Sequence, residues 1–323
     1  MICVVGGGVL GCTLTYLLAR EGGRVTLLEG RKIGQGGASS VPVALLNPYR
    51  GRSARASAYD LTALAAMWRL VDELEAQGLD TGVRRSGVLR VASNRRQAKV
   101  WRTREGVRWF EPDEVPAGYH APFGGFVTET GGWLEPRRWL RALVAAARAR
   151  GAAVLEGCAV ERLEPGWALH TSASTLRADR VVLCTGAAPA PHQAAPVLER
   201  VAGEVIGLQH AAGLPYPLAG AVYGAQFGAT FYLGGNHRPA AQPDERAPAQ
   251  LQRAGGWFVP TLREAPLRSV WHGVRAKTED NLPLVRELEP GLWFAGALAG
   301  RGFLAAAQVA REVATQLGID AMV

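Results

Sequence analysis

The chain opens on a short apolar run, Ile2-Cys3-Val4-Val5, that breaks into glycine at Gly6-Gly7-Gly8. An amphipathic segment follows from Cys12 to Arg20. After Gly22-Gly23 a second apolar run, Arg24 to Leu28, is closed by Glu29. This pattern predicts strand, tight turn, helix, strand and acid. Within Ala56–Gln77, Leu61, Leu64, Met67, Trp68, Val71 and Leu74 recur at helical spacing, and Gly78 follows as a stop. A second helix is expected from Pro136, suited to a first helical turn. There Leu140, Leu143, Val144 and Ala147 share one face and Gly151 ends the run. Strands are expected over 153–156 and 159–163, and over the apolar run that ends at Thr185-Gly186. The last part reads as a strand (291–296), a turn (Gly300–Gly302) and an alanine-rich helix (303–317).

Between these stretches the texture changes. Residues 87–92 read as a strand, 97–107 as a polar helix and 110–127 as turn-rich β structure. Residues 204–262 are strand-rich, with strands expected at Val222-Tyr223 and from Thr230 to Gly235; a polar, proline-containing loop spans Pro239–Pro248. The alternation predicts an α/β fold of two interleaved parts. One is an α/β domain assembled from 1–79, 129–203 and 268–323. The other is a β-rich α+β domain from 80–128 and 204–267 that would bind substrate.

The opening glycines fit G-x-G-x-x-G as Gly6, Gly8 and Gly11. The first permits the tight turn, the second lets a pyrophosphate approach the backbone, and the third lets helix pack on strand. Phosphates would sit at the helix N-terminus, where N–H groups and the dipole favour negative charge. Glu29 stands 18 residues after Gly11, where a carboxylate can accept both ribose hydroxyl protons. In the loop from Gly30 to Ser40, backbone N–H groups and the hydroxyls of Ser39 and Ser40 could meet phosphate oxygens. These residues predict a dinucleotide site, with NAD and FAD equally open.

Composition changes little. The chain has 323 residues and a net charge of +8, but 33 of its 36 basic residues are arginine. An arginine bias spread over the whole chain does not by itself select a nucleic acid or membrane partner. Four cysteines lack any C-x-x-C pairing, and six histidines lack metal-ligand spacing, so no metal is expected. The longest stretch without Asp, Glu, Lys or Arg, Val205–His237, is broken by Pro215, Pro217 and glycines, so no membrane helix is expected. The first strand begins at residue 2 without a basic leader, and a cytoplasmic location is expected.

Several separate blocks together resemble the D-amino acid oxidase family of flavoproteins, most closely its glycine oxidase-like and tRNA wobble-uridine-modifying branches. They are Val5–Gly11 with Glu29, Gly36–Ser40, Gly132–Pro136, Ala178–Gly186, Gly273-Val274-Arg275 followed by Asp280–Pro283, and Phe294-Ala295-Gly296 with Arg301-Gly302. The resemblance implies a Rossmann-like, glutathione-reductase-like FAD-binding domain and FAD rather than NAD. It implies that Gly6, Gly8, Gly11, Glu29, Ser39 and Ser40 hold the ADP half. Val160 would meet the adenine through its backbone. Gly186, Gly300 and Gly302 would border the flavin. The family's usual alanine is replaced by Cys184, and Thr15 replaces a small alanine. No cysteine lies near the Arg275 block, so non-covalent FAD is expected.

The resemblance also implies the chemistry: oxidation of a C–N bond by hydride transfer to flavin N5, then hydrolysis of the imine. Arg275 matches the family's carboxylate-binding arginine, and a guanidinium suits that task through two parallel bonds. Arg301 would lie near the substrate or the flavin carbonyls. Tyr223 matches an active-site tyrosine of glycine oxidase-like enzymes by its twelve-residue distance to Gly235. The expected substrate is a small amine or amino acid, such as glycine, sarcosine or a D-amino acid. The alternative is the carboxymethylaminomethyl group of a tRNA wobble uridine. The segment Val43–Pro48 looks more like the tRNA enzyme, and Arg50, Arg52 and Arg55 could meet phosphates. A flavin-binding partner protein without turnover is the alternative of another class, and the intact Arg275 block argues against it.

Overall fold

The computed structural model describes residues 1–238 and 242–319. In chain order it runs β1 (Ile2–Val5), α1 (Val9–Arg20), β2 (Val25–Glu29), β3 (Ala44–Leu46), α2 (Ala58–Ala76), β4 (Val83–Arg84), β5 (Val88–Val91), α3 (Arg95–Trp101), β6 (Arg108–Phe110), β7 (Gly125–Thr128) and β8 (Gly132–Leu134). Then come α4 (Pro136–Ala149), β9 (Ala153–Glu156), β10 (Val160–Glu164), β11 (Ala168–Thr171), β12 (Thr175–Arg177), β13 (Arg180–Leu183) and β14 (Glu199–Gln209). The chain closes with β15 (Leu218–Ala219), β16 (Tyr223–Phe227), β17 (Thr230–Gly234), α5 (Ala247–Phe258), β18 (Leu267–Lys277), β19 (Leu284–Glu289), β20 (Leu292–Gly296) and α6 (Gly302–Gln316).

Side-chain alternation in β1 separates the layers of the first sheet. Its order is β19-β20-β13-β1-β2-β9, parallel from β20 to β9, with β19 an antiparallel edge. Ile2 and Val4 face one way, into a core shared with α1, α2, α4 and α6. Cys3 and Val5 face the other way, onto Leu163 and Leu169 of the antiparallel β10-β11-β12 meander. Both faces of the parallel sheet are covered, which is why its central strands are apolar at nearly every position. The C-terminal ends of β1, β2, β13 and β20 open on one edge, where an α/β sheet takes a ligand.

The second sheet has eight strands in the order β18-β14-β17-β16-β15-β5-β7-β6. Leu251 and Phe258 of α5 pack with Ile206, Phe231 and Leu233 on one of its faces. A small sheet, β3-β8-β4, lies outside both. Strand β17, paired antiparallel on both sides, alternates buried and half-buried positions, as expected where one face of a sheet is covered.

The structure differs from the sequence reading at three places. The helix expected over 97–107 is only Arg95–Trp101; Asn94 caps it by accepting from the Gln97 N–H at 2.9 Å, and the chain turns away through Gly106 at φ +70°. A helix, α5, stands inside the stretch read as strand-rich; its Gly255-Gly256 pair lowers helix propensity but lets Leu233 pack against it. The expected boundaries at 203/204 and 267/268 fall inside β14 and β18. Those strands pair from Glu199↔Lys277 to Leu208↔Leu267. The proline-containing loop expected at Pro239–Pro248 falls partly outside the described residues. Among the described residues no helix is long and apolar enough to cross a membrane, and no group of three or more His, Cys, Asp and Glu could hold a metal.

Candidate functional site

A cleft of about 580 Å³ runs along the open edge of the parallel sheet. One end is lined by Gly6–Leu10, Glu29, Arg31, Lys32 and the Gly34–Ser39 loop. The middle is lined by Cys184–Ala188, and the far end by His272–Ala276 and Ala295–Ala299 with Gly302. Strand ends and two helix N-termini, those of α1 and α6, therefore face one elongated space.

The glycines at its near end are fixed by close approaches. Gly6 has φ +108°, and a Cβ there would come within 2.5 Å of the Cys184 carbonyl oxygen. A Cβ on Gly11 would collide with the carbonyl oxygen of Gly6. These two hold the turn against β13 and the helix against the turn. Gly8 is different: its Cβ would meet only Ser39 Oγ, at 3.3 Å, so bare backbone faces the cleft. Gly186, at φ +61°, also opens into the cleft, and a Cβ on it would have no neighbour within 4 Å. Such a cradle fits an extended dinucleotide laid across the strand ends, with its phosphates on the first turn of α1.

Glu29 is braced for the ribose end. Its Oε2 accepts the Gly7 N–H at 2.6 Å and its Oε1 accepts the Arg31 N–H at 2.9 Å, which leaves lone pairs on both oxygens for ligand hydroxyls. Ser39 Oγ accepts the Val9 N–H at 3.0 Å, capping α1 from the loop. Ser40 is placed elsewhere: its hydroxyl donates to Gly37 O at 2.9 Å and accepts from Trp271 Nε1 at 2.9 Å, so it ties the loop to β18 and does not line the cleft. Val160 does not line the cleft either. It lies close to the end of β2 because Cys158 N–H donates to Glu29 O at 2.8 Å and Gly157 N–H to Arg31 O at 3.2 Å. Arg31 and Lys32 line the cleft although sequence reasoning gave them no role; two cations beside the ribose acid were the available signal.

At the far end stands Arg275, on β18 opposite Val201. Its Nη2 donates to the carbonyl oxygen of Asn236 at 3.3 Å. Among the described residues no carboxylate lies within ion-pair distance of it, so a half-buried guanidinium faces the cleft with unspent donors. Gly203 makes the room: a Cβ there would be 2.7 Å from Arg275 Nη2. Tyr223 lies over Gly234, where a Cβ would meet its hydroxyl at 2.9 Å. Burial raises the Tyr223 phenol above its ordinary value, with Arg275 pulling the other way, so the ring stays neutral near the guanidinium. Tyr223 and Arg275 thus feel each other's charge across the two intervening strands β17 and β14, although Tyr223 does not line the cleft. Desolvation, with the cations of Arg275 and Arg50 adding to it, pushes His237 down to about 4, although the residue is exposed to solvent.

Arg301 turns away from the cleft. Its guanidinium pairs with Asp60 at 3.6 Å and lies 5.9 Å from the Tyr59 ring centre, under the start of α2. Gly300 sits between two guanidinium groups: a Cβ there would lie 3.5 Å from Arg50 Nη2 and 3.6 Å from Arg275 Nη1. Gly302 begins α6 and lines the cleft. All four cysteines are buried and free. Cys184 lines the cleft, and burial pushes its thiol up to about 12, which keeps it protonated and a poor nucleophile.

Comparison with known proteins gives a consistent result. A family model described as DAO, FAD dependent oxidoreductase, matches residues 1–316. The tRNA 5-methylaminomethyl-2-thiouridine biosynthesis bifunctional protein of Maricaulis maris is 27% identical over 326 residues, covering 99% of this chain and 53% of its own length. The chain therefore spans about half of that relative. The putative thiamine biosynthesis oxidoreductase of Rhizobium etli is 31% identical over 98% of this chain and 96% of its own. Glycine oxidase of Geobacillus kaustophilus is 27% identical over 88% of this chain and 84% of its own. Its crystal structure superposes with a TM-score of 0.85, over 98% of this chain and 94% of the other.

Proposed function

The chain belongs to the DAO family of FAD-dependent oxidoreductases, and on that premise we propose that it oxidises the C–N bond of a small amino acid or N-substituted glycine. The observation that carries the reading is Arg275, a guanidinium without a carboxylate partner among the described residues at the end of the cleft. When bound, the flavin supplies the hydride acceptor.

The chain's own residues then have four tasks. Gly6, Gly8, Gly11 and Glu29 hold the dinucleotide half, and Gly186 and Gly302 leave room for the flavin half. Arg275 anchors the substrate carboxylate through its free donors, and the Asn236 carbonyl fixes its orientation. Tyr223, neutral at working pH, offers a hydroxyl beside that carboxylate. Positioning the reacting C–H is the main requirement, because its hydrogen leaves with the bonding pair as hydride and no protein base is needed to abstract it. Water hydrolyses the imine after transfer.

Anaerobic addition of glycine, sarcosine or D-amino acids to the purified yellow protein should bleach its visible absorbance. Failure of every amine and amino acid to bleach it would overturn the reading.

A second reading draws on the match of nearly the whole chain to the tRNA-modifying relative. In it the amine is the N-substituted glycine of a wobble uridine, and exposed Arg52 and Arg55 meet phosphates. Binding of tRNA that weakens steeply with added salt, together with bleaching by modified tRNA alone, would favour it.

A further inference from the structure

A second arginine, Arg50, is held by a braced turn beside Arg275, across Gly300 and just outside the cleft lining. Arg50 follows β3, and the carbonyls on either side of it, those of Tyr49 and Gly51, accept from Nη1 and Nη2 of Arg90 at 2.8 Å each. Arg90 is 5% exposed. Its two bonds hold the turn from below. Tyr49 hydroxyl donates to Glu105 O at 2.6 Å and Trp101 Nε1 to Arg52 O at 3.3 Å, which holds it from the side.

What Arg50 reaches is short of negative charge. Arg50 Nη1 lies 3.9 Å from Asp60 Oδ1, and Arg301 Nη1 lies 3.6 Å from the same atom. Neither pair closes to a hydrogen bond. Arg50 Nη1 and Asp60 Oδ1 are both buried without a hydrogen-bond partner. Arg50 and Arg301 thus share one carboxylate, and Arg275 beside them has none within ion-pair distance among the described residues. Burial and the neighbouring Arg301 pull Arg50 below its ordinary value, with Arg275 adding to this against Asp60. Because the Gly300 Cβ position is 3.5 Å from Arg50 Nη2 and 3.6 Å from Arg275 Nη1, the two nitrogens are no farther apart than those distances together. A small molecule with two carboxylates spans such a gap.

We propose that Arg50 is a specificity-determining residue that takes a second carboxylate of the substrate, so the preferred substrate is an amine or amino acid carrying two carboxylates. This rests on the amino-acid oxidation reading of the cleft. Arg275 holds the carboxylate next to the reacting carbon and Arg50 holds the distal one. A monocarboxylate leaves Arg50 facing only Asp60.

The test uses the FAD-loaded full chain. Iminodiacetate is compared with sarcosine in anaerobic bleaching and steady-state turnover, and malonate with acetate in titrations of the visible flavin spectrum. The diacid should be favoured about tenfold or more in each pair, the scale of one added charge-assisted contact. Arg50→Met should collapse both ratios, and Arg50→Lys should keep part of them. Equal handling of mono- and dicarboxylates by the wild type, or ratios unchanged in Arg50→Met, would overturn the proposal while leaving the oxidation reading standing. If no amine bleaches the flavin, the oxidation reading fails, and the malonate titration still decides whether Arg50 takes a second carboxylate.

Discussion

Glu204 and Arg275 stand on neighbouring strands and are joined through one residue, Asn236. The Asn236 side chain donates to Glu204 Oε2 and accepts the Glu204 backbone N–H at 2.9 Å, while its carbonyl oxygen accepts Arg275 Nη2 at 3.3 Å. Glu204 is 2% exposed and also accepts from Arg238 at 2.7 Å. A buried carboxylate therefore holds the residue that aims Arg275, the proposed substrate anchor. Glu204→Gln keeps the volume but gives up the charge that Arg238 meets. We predict a several-fold rise in KM for carboxylate substrates with a smaller change in kcat, as expected when a positioning group is loosened. Equal losses in both parameters would point to a different role.

The same carboxylate makes stability depend on acid. Burial by itself would raise the Glu204 pKa, but the bonds from Asn236, Arg238, the Asp244 N–H and His272 outweigh it and hold the group below its ordinary 4.5. The contribution is thus full above about 4.5 and is lost as pH falls through the lower folded value. Thermal midpoints of wild type and Glu204→Gln should differ at neutral pH and converge below pH 4.5. A gap that stays constant into acid would contradict this linkage.

Arg275→Ala should cost on the order of 2–5 kcal/mol of carboxylate binding, since truncation removes the charge proposed to meet the substrate at the end of the cleft. The quantity to measure is the dissociation constant of an unreactive carboxylate, followed by the visible spectrum of the flavin. Flavin content of the variant should match wild type, because Arg275 stands apart from the glycines proposed to hold the dinucleotide. An unchanged constant would remove Arg275 from the anchor role.

Gly11→Ala should abolish flavin retention. The added methyl has nowhere to go but the Gly6 carbonyl, which the β1–α1 turn holds rigidly. Gly8→Ala keeps the fold, because its only neighbour within 4 Å is Ser39 Oγ, yet it places a methyl on the phosphate side of the cleft. Absorbance ratios after purification would separate the two: Gly11→Ala lost or unfolded, Gly8→Ala folded with weakened FAD. A fully flavinated Gly11→Ala would show that the turn has slack that the structure lacks.

Acid or heat should release the yellow chromophore into the supernatant. Cys184 is the cysteine that lines the cleft, and burial keeps its thiol protonated. Cys184→Ser should bind flavin as the wild type does. Colour retained on the precipitated protein would indicate a covalent link.

The dinucleotide end of this protein is legible in the residues themselves. Gly6, Gly8, Gly11 and Glu29 act within one strand–helix–strand unit, and local spacing determines which of them meet. Ser39 lines the cleft and Ser40 does not, because adjacent residues leave a turn in different directions; only Trp271, 231 positions away, decides where the second hydroxyl goes. The α5 helix is hard to read from sequence for a related reason: two glycines weaken its propensity, and packing against Leu233 restores it. At the other end of the cleft, sequence marks Arg275 and Tyr223, but nothing in the spacing marks Arg50, Arg90, Asp60 or Glu204 as one neighbourhood. Guanidinium and carboxylate groups act across a few ångströms of space whatever their separation along the chain. The sequence alone determined the α/β class and the cofactor cradle, whose contacts are local. Only the tertiary structure decided the charge balance at the substrate end, because that balance is summed over strands, turns and helices from distant parts of the chain.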